Sequence, residues 1–281
     1  MRVLIIGGSS KIGRHIGEFL SRQHEILYAG RREAEFFLDL ERLDDHFPAD
    51  QKFEAVIHCA ADFGGEGEND FLRSERVNSV GSLIVARLAR QVEASHLLVL
   101  SSSSAYYSHD HPFYNAYAIT KRHGDELVSL YSERFSLPLT IFRPTQIYGD
   151  TDGYRGHQPL LYHIIDQAEQ GKDVVLYGQN DALRNYLHVD DLAEVVRRVL
   201  ATRTTGVFPV TALRSWVLSE IAKIAFGVFG TRGRVIFDPA RGDIPDLPLP
   251  DSTSFFNEIG MTRTIDLPEG IRRIAVTRRA S

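Results

Sequence analysis

Cysteine is nearly absent: Cys59 is the only one in 281 residues. No internal disulfide can form, and a single thiol inside an apolar run reads as buried and inert. Long hydrophobic runs are missing too, none approaching the ~20 residues that cross a bilayer. The first apolar stretch, Val3 to Ile6, is too short for a secretory signal and meets Gly7-Gly8 at once. These features predict a cytoplasmic protein with no membrane segment. Positive charge is in deficit, 32 basic against 37 acidic residues for a net −5, which speaks against nucleic acid or an anionic membrane as partner. The pairs Arg272-Arg273 and Arg278-Arg279 read as solvated helix faces. Histidines 109, 111, 157 and 163 lack metal-ligand spacing, so no metal is expected. Internal repeats and low-complexity tracts are also missing. What is present, 43% hydrophobic and 25% charged residues, is the ordinary globular balance, sufficient for one large or two fused domains.

Short apolar runs rich in β-branched residues alternate with helical patterns through the first half. Strands are predicted at Val3 to Ile6, Ile26 to Ala29, Ala55 to Cys59, Leu97 to Leu100 and Leu139 to Phe142. Between the first two, Ile12, Ile16, Phe19 and Leu20 share one helix face, and helices are predicted again over 77–92 and 117–135. This alternation specifies an α/β fold, a Rossmann-type doubly wound parallel sheet over residues 1–150, completed by elements from the second half. Residues 151–281 are more broken by Gly and Pro. Helices are expected at 160–169, 189–201, 216–226 and 267–276, with strands near 174–177, 207–210 and 234–237. They predict a smaller C-terminal α/β substrate lobe that closes a cleft over the strand ends.

The first strand runs into Gly7-Gly8-Ser9-Ser10-Lys11-Ile12-Gly13 and then a helix. Glycines there let backbone N–H groups approach a pyrophosphate at the helix N-terminus, which nominates Gly7, Ser9, Ser10, Lys11, Ile12 and Gly13 for a dinucleotide. Ser10 stands where the pattern has its middle glycine. The second strand ends at Arg31-Arg32, where an NAD site usually carries a carboxylate for the ribose hydroxyls. Two guanidinium groups suit a 2′-phosphate instead, so NADP is preferred and NAD stays open. Tyr117 and Lys121 lie four apart on a predicted helix, with Ser101 to Ser104 at a preceding strand end. The ammonium of Lys121 is thereby expected near the phenol, drawing its pKa from near 10 toward neutrality, where acid–base work is efficient.

With these motifs the chain resembles, over nearly its whole length, the extended short-chain dehydrogenase/reductase family of NAD(P)-dependent nucleotide-sugar epimerases, dehydratases and ketoreductases. Asp39-Leu40 stands where the family packs an acid and an apolar neighbour against adenine. His58-Cys59-Ala60-Ala61 resembles its H-x-A-A strand end beside the cofactor, and Asn78 with Gly81 its V-N-x-x-G helix start. Ser101 to Tyr107 resembles the S-S-S-x-x-x-Y segment, which implies Ser101 beside the cofactor, Ser103 as the catalytic hydroxyl and Tyr107 in the pocket. Arg143 to Gly149 resembles the segment over nicotinamide and substrate, implying roles for Pro144 and Gln146. Arg184 to Asp191 resembles R-D-Y-I-H-V-x-D, whose Arg holds the nucleotide diphosphate, so Arg184 is the implied anchor. Ile259-Gly260 and Leu267 to Ile271 resemble the entry to the final helix. Gln146 and Asn185 replace the common Asn and Asp. The Thr-Asp-Glu run of dehydratases is absent, Ser103-Ser104-Ala105 standing in its place.

The resemblance implies hydride transfer at a sugar carbon of a nucleotide sugar, with Tyr117 as proton donor, Ser103 orienting the same oxygen, and Lys121 holding the nicotinamide ribose. A 4-ketoreductase is the preferred reading. A nucleotide-sugar epimerase with retained NAD(P), and a non-catalytic NADP-binding sensor or RNA-binding relative, are the alternatives. A homodimer through the two long helices is implied, with Val85, Leu88, Leu127 and Leu130 as contributors if they face outward.

Overall fold

Val3, Leu4, Ile5 and Ile6 are each at most 1% exposed, and a run buried on both faces is a strand with helices above and below it. The computed structural model, which describes residues 1–281 apart from 44–46, 49, 248 and 281, makes this run β1 (Arg2–Ile6). There follow α1 (Lys11–Leu20), β2 (Glu25–Gly30), β3 (Phe36–Phe37), β4 (Ala55–His58), α2 (Glu68–Ser74), a π turn (Glu75–Val80), α3 (Gly81–Gln91), β5 (His96–Leu100), a 3₁₀ turn (Ser103–Tyr106), α4 (Ala116–Phe135) and β6 (Leu139–Pro144). The second half supplies β7 (Gln146–Tyr148), α5 (Pro159–Glu169), β8 (Val174–Tyr177), β9 (Leu183–Arg184), β10 (Tyr186–His188), α6 (Val189–Thr202), β11 (Gly206–Val210), β12 (Trp216–Val217), α7 (Leu218–Phe229), β13 (Val235–Asp238), α8 (Thr253–Glu258) and α9 (Leu267–Ala280).

The seven-stranded sheet has the order β11-β6-β5-β4-β1-β2-β3. β1 pairs in parallel with β2 on one side, Val3 opposite Ile26, and with β4 on the other, Val3 opposite Ala55. β4, β5 and β6 continue in parallel. Strand order therefore reverses at β1, and the crevice beyond its C-terminal end is where open sheets of this kind bind ligands. Leu4, Ile6, Val56, Leu97, Val99 and Ile141 of the sheet pack with Val85, Leu88 and Ala89 of α3 and Val128 of α4 in one core. Val85 and Leu88 thus face inward, whereas Leu127 and Leu130 are 39% and 66% exposed.

Two compact units emerge, one of residues 1–144 with 193–209, the other of 145–192 with 210–281. The first closes at Pro144 rather than at 150, and β11 returns to its sheet from far along the chain. In the second unit β7 pairs with β10, β9 with β12 and β8 with β13. Its buried faces are Leu161, Ile164 and Ile165 of α5, Ile221 and Ala225 of α7, and Ile271 and Ile274 of α9. The helix expected from 216 starts at Leu218, because Trp216 and Val217 pair antiparallel with β9. Among the described residues no helix is long and apolar enough to cross a membrane.

The helix expected over 77–92 begins at Glu68 and is interrupted by the π turn. A β-carbon on Gly124 of α4 would lie 2.3 Å from the Asn78 carbonyl oxygen, so α4 and the π turn meet backbone to backbone. Gly124→Ala is expected to force these elements apart and cost about 1–3 kcal/mol, read as a lower urea midpoint with an unchanged slope.

Candidate active site

The glycine turn after β1 is built for close approach. Gly7 has φ +91°, and a β-carbon on it would lie 2.6 Å from the Ala60 nitrogen; on Gly13 it would lie 2.7 Å from the Gly7 oxygen. Neither position tolerates a side chain. Ser10, the departure from the glycine pattern, is the N-cap of α1: its Oγ accepts from the Gly13 N–H at 2.9 Å. A depression at the switch point is lined by Gly7, Ser9, Ser10, Arg31, Asp39, Leu40, Ala60 and Ala61, and Lys11 and Ile12 open α1 directly after Ser10. A helix N-terminus with open glycine backbone beside it fits a pyrophosphate, and the structure has brought together the strand-end residues nominated separately from sequence. Cys59 is buried, its thiol pushed up to about 12 by desolvation and thus inert. His58 is neutral, held down to about 3 by burial, with Nε2 3.1 Å from Ser82 Oγ. Asn78 is a brace: it donates to Asp62 O at 2.7 Å and Thr120 Oγ1 at 3.0 Å and accepts from Asp62 N–H at 2.9 Å.

Arg31 pairs with Glu41 at 3.2 Å. It also lines a second hollow with Arg42, Arg76, Asp39 and Glu41. Arg32 is exposed and lies outside that lining. The guanidinium groups gathered around Arg31 thus come from the loop after β3 and from the π turn, positions that no spacing in the sequence links.

α4 is capped by Asn115, whose Oδ1 accepts from Ala118 N–H at 3.0 Å, and this fixes where its first turn starts. Tyr117, Lys121 and Asp125 then form a stripe at i, i+4 and i+8. Lys121 is 2% exposed and donates to the Leu100 carbonyl at 2.9 Å. Asp125 accepts from Ser101 Oγ at 2.9 Å and Arg143 Nε at 2.8 Å. Ser102 caps the 3₁₀ turn, its Oγ accepting from Ser104 N–H at 3.1 Å, and Ser103, the residue expected at the phenol, is buried at the start of that turn. Phe63 stacks on Tyr117, ring centroids 5.5 Å apart and 28° from parallel. Tyr107 is buried and stacked on His111 at 3.8 Å.

The electrostatics correct one expectation. Burial pushes the Tyr117 phenol up to about 12, and the Asp125 carboxylate adds to this, against the Ser102 hydrogen bond. Lys121 does not draw it toward neutrality, because the ammonium is engaged by the Leu100 carbonyl and faces Asp125. Burial lowers the Lys121 pKa while Asp125 raises it, and the Asp125 pKa is itself raised by burial against the pull of Lys121 and Arg143. Asp125, Arg143 and Phe63 are the site residues that sequence reasoning missed. The i+8 spacing alone could have pointed to Asp125.

The remaining nominated residues belong to the second unit, apart from Pro144, the last residue of the first stretch. Gln146 Nε2 donates to Gln158 Oε1 at 3.0 Å. Arg184 is 3% exposed, with Nη1 donating to the carbonyls of Leu183 at 2.7 Å and Pro245 at 2.8 Å. Asn185 both donates to Ala212 O and accepts from Ala212 N–H, each at 2.9 Å. An ionised Asp there could only accept, which explains the departure. His188 accepts from Asp190 N–H on Nδ1, so its Nε2 donates to Asp150 at 2.9 Å. Asp150, His188 and Asp190 have the donor types of a metal cluster, but Arg273 Nη2 bridges the two carboxylates at 2.7 and 2.6 Å, making an ion-pair node.

A doubly wound sheet with a glycine turn at its switch point, and a Tyr–Lys stripe against the adjoining strand end, defines an oxidoreductase of the short-chain dehydrogenase/reductase class. Residues 3–210 match the NAD dependent epimerase/dehydratase family, and the chain belongs to it. It is therefore an enzyme of the extended, NAD(P)-dependent kind. It is 26% identical to the dTDP-4-dehydro-6-deoxy-D-allose reductase of Streptomyces bikiniensis over 67% of this chain, a match that spans 63% of that protein's length. It is 26% identical to the GDP-L-fucose synthase of Escherichia coli, covering 96% of this chain and 94% of that one. The fold superposes on the UDP-glucose 4-epimerase of Thermotoga maritima with a TM-score of 0.82 at 19% identity, over 100% of this chain and 99% of the other.

Asp191 gives a pH signature. Burial raises its carboxyl from 3.8 to about 6, although it accepts from Ile265 N–H at 2.9 Å. A raised folded-state pKa means the contribution is complete below the unfolded value and is lost as pH rises through the folded one. Asp191→Asn should escape that loss, so its melting temperature is expected to gain on wild type from pH 4.5 and to level off above pH 6, by the equivalent of about 2 kcal/mol over that window.

Proposed function

We propose that this enzyme reduces the keto group of a nucleotide-linked 4-keto sugar, using NADP. The observation that carries this reading is the α4 stripe, in which Phe63 stacks on the Tyr117 ring and the buried Lys121, one turn on, donates to the Leu100 carbonyl at 2.9 Å; burial holds the phenol's pKa above its ordinary value. A reductase needs a proton donor at rest, and a phenol that keeps its proton is one. Gly7, Ser9, Ser10, Lys11, Ile12 and Gly13 would hold the pyrophosphate of the dinucleotide, Asp39 and Leu40 its adenine, and Lys121 its nicotinamide ribose; Cys59, Ala60, Ala61, Asn78, Ser101 and Pro144 would complete its surroundings. When bound, the nicotinamide supplies the hydride. Tyr117 donates its proton to the carbonyl oxygen as charge develops there, and Ser103, with Ser102 beside it, orients that oxygen. Phe63 stacks on the ring of Tyr117. Arg184 is proposed for the nucleotide diphosphate, and Gln146 and Tyr107 for the sugar. Similarity to a reductase of a dTDP-4-dehydro-6-deoxy sugar supports the substrate class.

For NADP, Arg31, Arg42 and Arg76 outnumber Asp39 and Glu41 around their shared hollow, a balance that favours a 2′-phosphate. Arg31→Ala is expected to cut the preference for NADPH over NADH, as a ratio of kcat/KM, by about tenfold, the worth of roughly 1.4 kcal/mol. A homodimer is proposed through the outer face of α4, where Leu127 and Leu130 stand exposed.

The deciding experiment incubates the protein with NADPH and a panel of 4-keto nucleotide sugars, following NADPH absorbance and product stereochemistry. Stoichiometric loss of NADPH is expected, with Tyr117→Phe slower by about 10²–10⁴-fold. Epimerised product without net NADPH consumption would replace this reading by the epimerase. Full turnover by Tyr117→Phe would remove Tyr117 as proton donor.

A further inference from the structure

The stripe on α4 continues one turn beyond the pair assigned to chemistry. Asp125 is 3% exposed, and a buried carboxylate is costly unless charges and donors compensate it. Here the compensation is specific: Ser101 at the end of β5 donates to Oδ2 at 2.9 Å, and Arg143 of β6 donates through Nε to the same oxygen at 2.8 Å. The Arg143 guanidinium is itself held over the Tyr106 ring at 4.6 Å. An amide could accept these bonds equally well. What it could not supply is the negative charge.

We propose that Asp125 is a positioning residue of this site, tying α4 to the ends of β5 and β6 and serving as the buried counter-ion that keeps Lys121 an ammonium. The inference rests on the reading of Tyr117 and Lys121 as the working pair. Around Lys121, β4 offers His58 and Cys59, both uncharged at neutral pH. β5 offers the Leu100 carbonyl and the Ser101 hydroxyl, and β6 offers the cation Arg143. On α4 itself stand the neutral phenol of Tyr117 and the Asp125 carboxylate. Among the described residues, Asp125 is the only carboxylate acting on Lys121. Two cations therefore share one buried anion.

The sign of the effect follows. Removing the Asp125 charge lets Lys121 lose its proton at lower pH, and it also lets Tyr117 ionise earlier, since Asp125 raises both groups. A reductase needs both protons, so both changes move the alkaline fall in rate in the same direction, to lower pH.

The test compares wild type with Asp125→Asn and Asp125→Glu, each checked for folding by thermal melts. In Asp125→Asn, kcat is expected within about threefold of wild type at pH 6 and reduced about tenfold or more at pH 9, with KM for the sugar little changed, and Asp125→Glu should recover the wild-type profile. Arg143→Gln removes a competing cation but can still donate to Asp125, so its fall should move to higher pH. A separate arm needs no substrate: the NADPH dissociation constant, read by fluorescence, should rise with pH more steeply in Asp125→Asn than in wild type. A loss in Asp125→Asn that is equal at all pH values, with unchanged pH dependence of NADPH binding, would reduce Asp125 to a brace and overturn the inference. So would shifts of the same sign in Asp125→Asn and Arg143→Gln. If wild type turns over no keto sugar, the proposed reaction fails while the NADPH arm still decides the role of Asp125. If Asp125→Asn does not fold, Arg143→Gln decides it alone: an unshifted or lowered NADPH profile overturns the inference.

Discussion

Two consecutive residues at the end of β5 each hold one member of the α4 stripe. Leu100 receives the Lys121 ammonium, and Ser101 donates to the Asp125 carboxylate. A strand advances ~3.3 Å per residue and turns its side chains alternately, whereas four helical residues advance ~6 Å and return to the same face. The two periods do not match. The match exists because β5 ends where the stripe begins, and because the backbone there bends into the 3₁₀ turn. Everything the site does depends on this join. The Asn115 cap sets where α4 starts, and Gly124 lets the helix approach the π turn closely enough to reach the strand end.

Much of this was legible in the chain. The five apolar runs became the central strands, with shifts of one or two residues at their ends. The glycine turn stood at the switch point because only glycine permits such backbone proximity. Tyr117 and Lys121 were readable because helical spacing of four is local. What escaped has one physical character: it depends on which atoms meet across elements. The company of Arg31 is set by a loop and a π turn distant in sequence. Asn185 looked like a departure from a pattern and proved to be matched to both backbone polar groups of one residue, Ala212.

The phenol illustrates how environment overrides an argument from proximity. A cation four residues away was expected to draw the Tyr117 pKa down, yet desolvation dominates and pushes it up to about 12. The ammonium is engaged elsewhere, by the Leu100 carbonyl. Spacing on a helix says that two side chains share a face; it does not say which neighbour each one serves. In a buried stripe of three ionisable groups each charge answers to its neighbours as well as to burial.

The first unit takes back residues 193–209 after the chain has built part of the second. Its sheet gains β11 as the edge next to β6, and Thr140 Oγ1 on β6 is bonded to the Thr204 carbonyl just ahead of that strand. The nucleotide-binding half is therefore not a contiguous gene segment. Any amino-terminal fragment ending near residue 144 would lack its outermost strand and expose the unpaired rim of β6, so during synthesis this sheet waits for its final strand until the ribosome has passed residue 210.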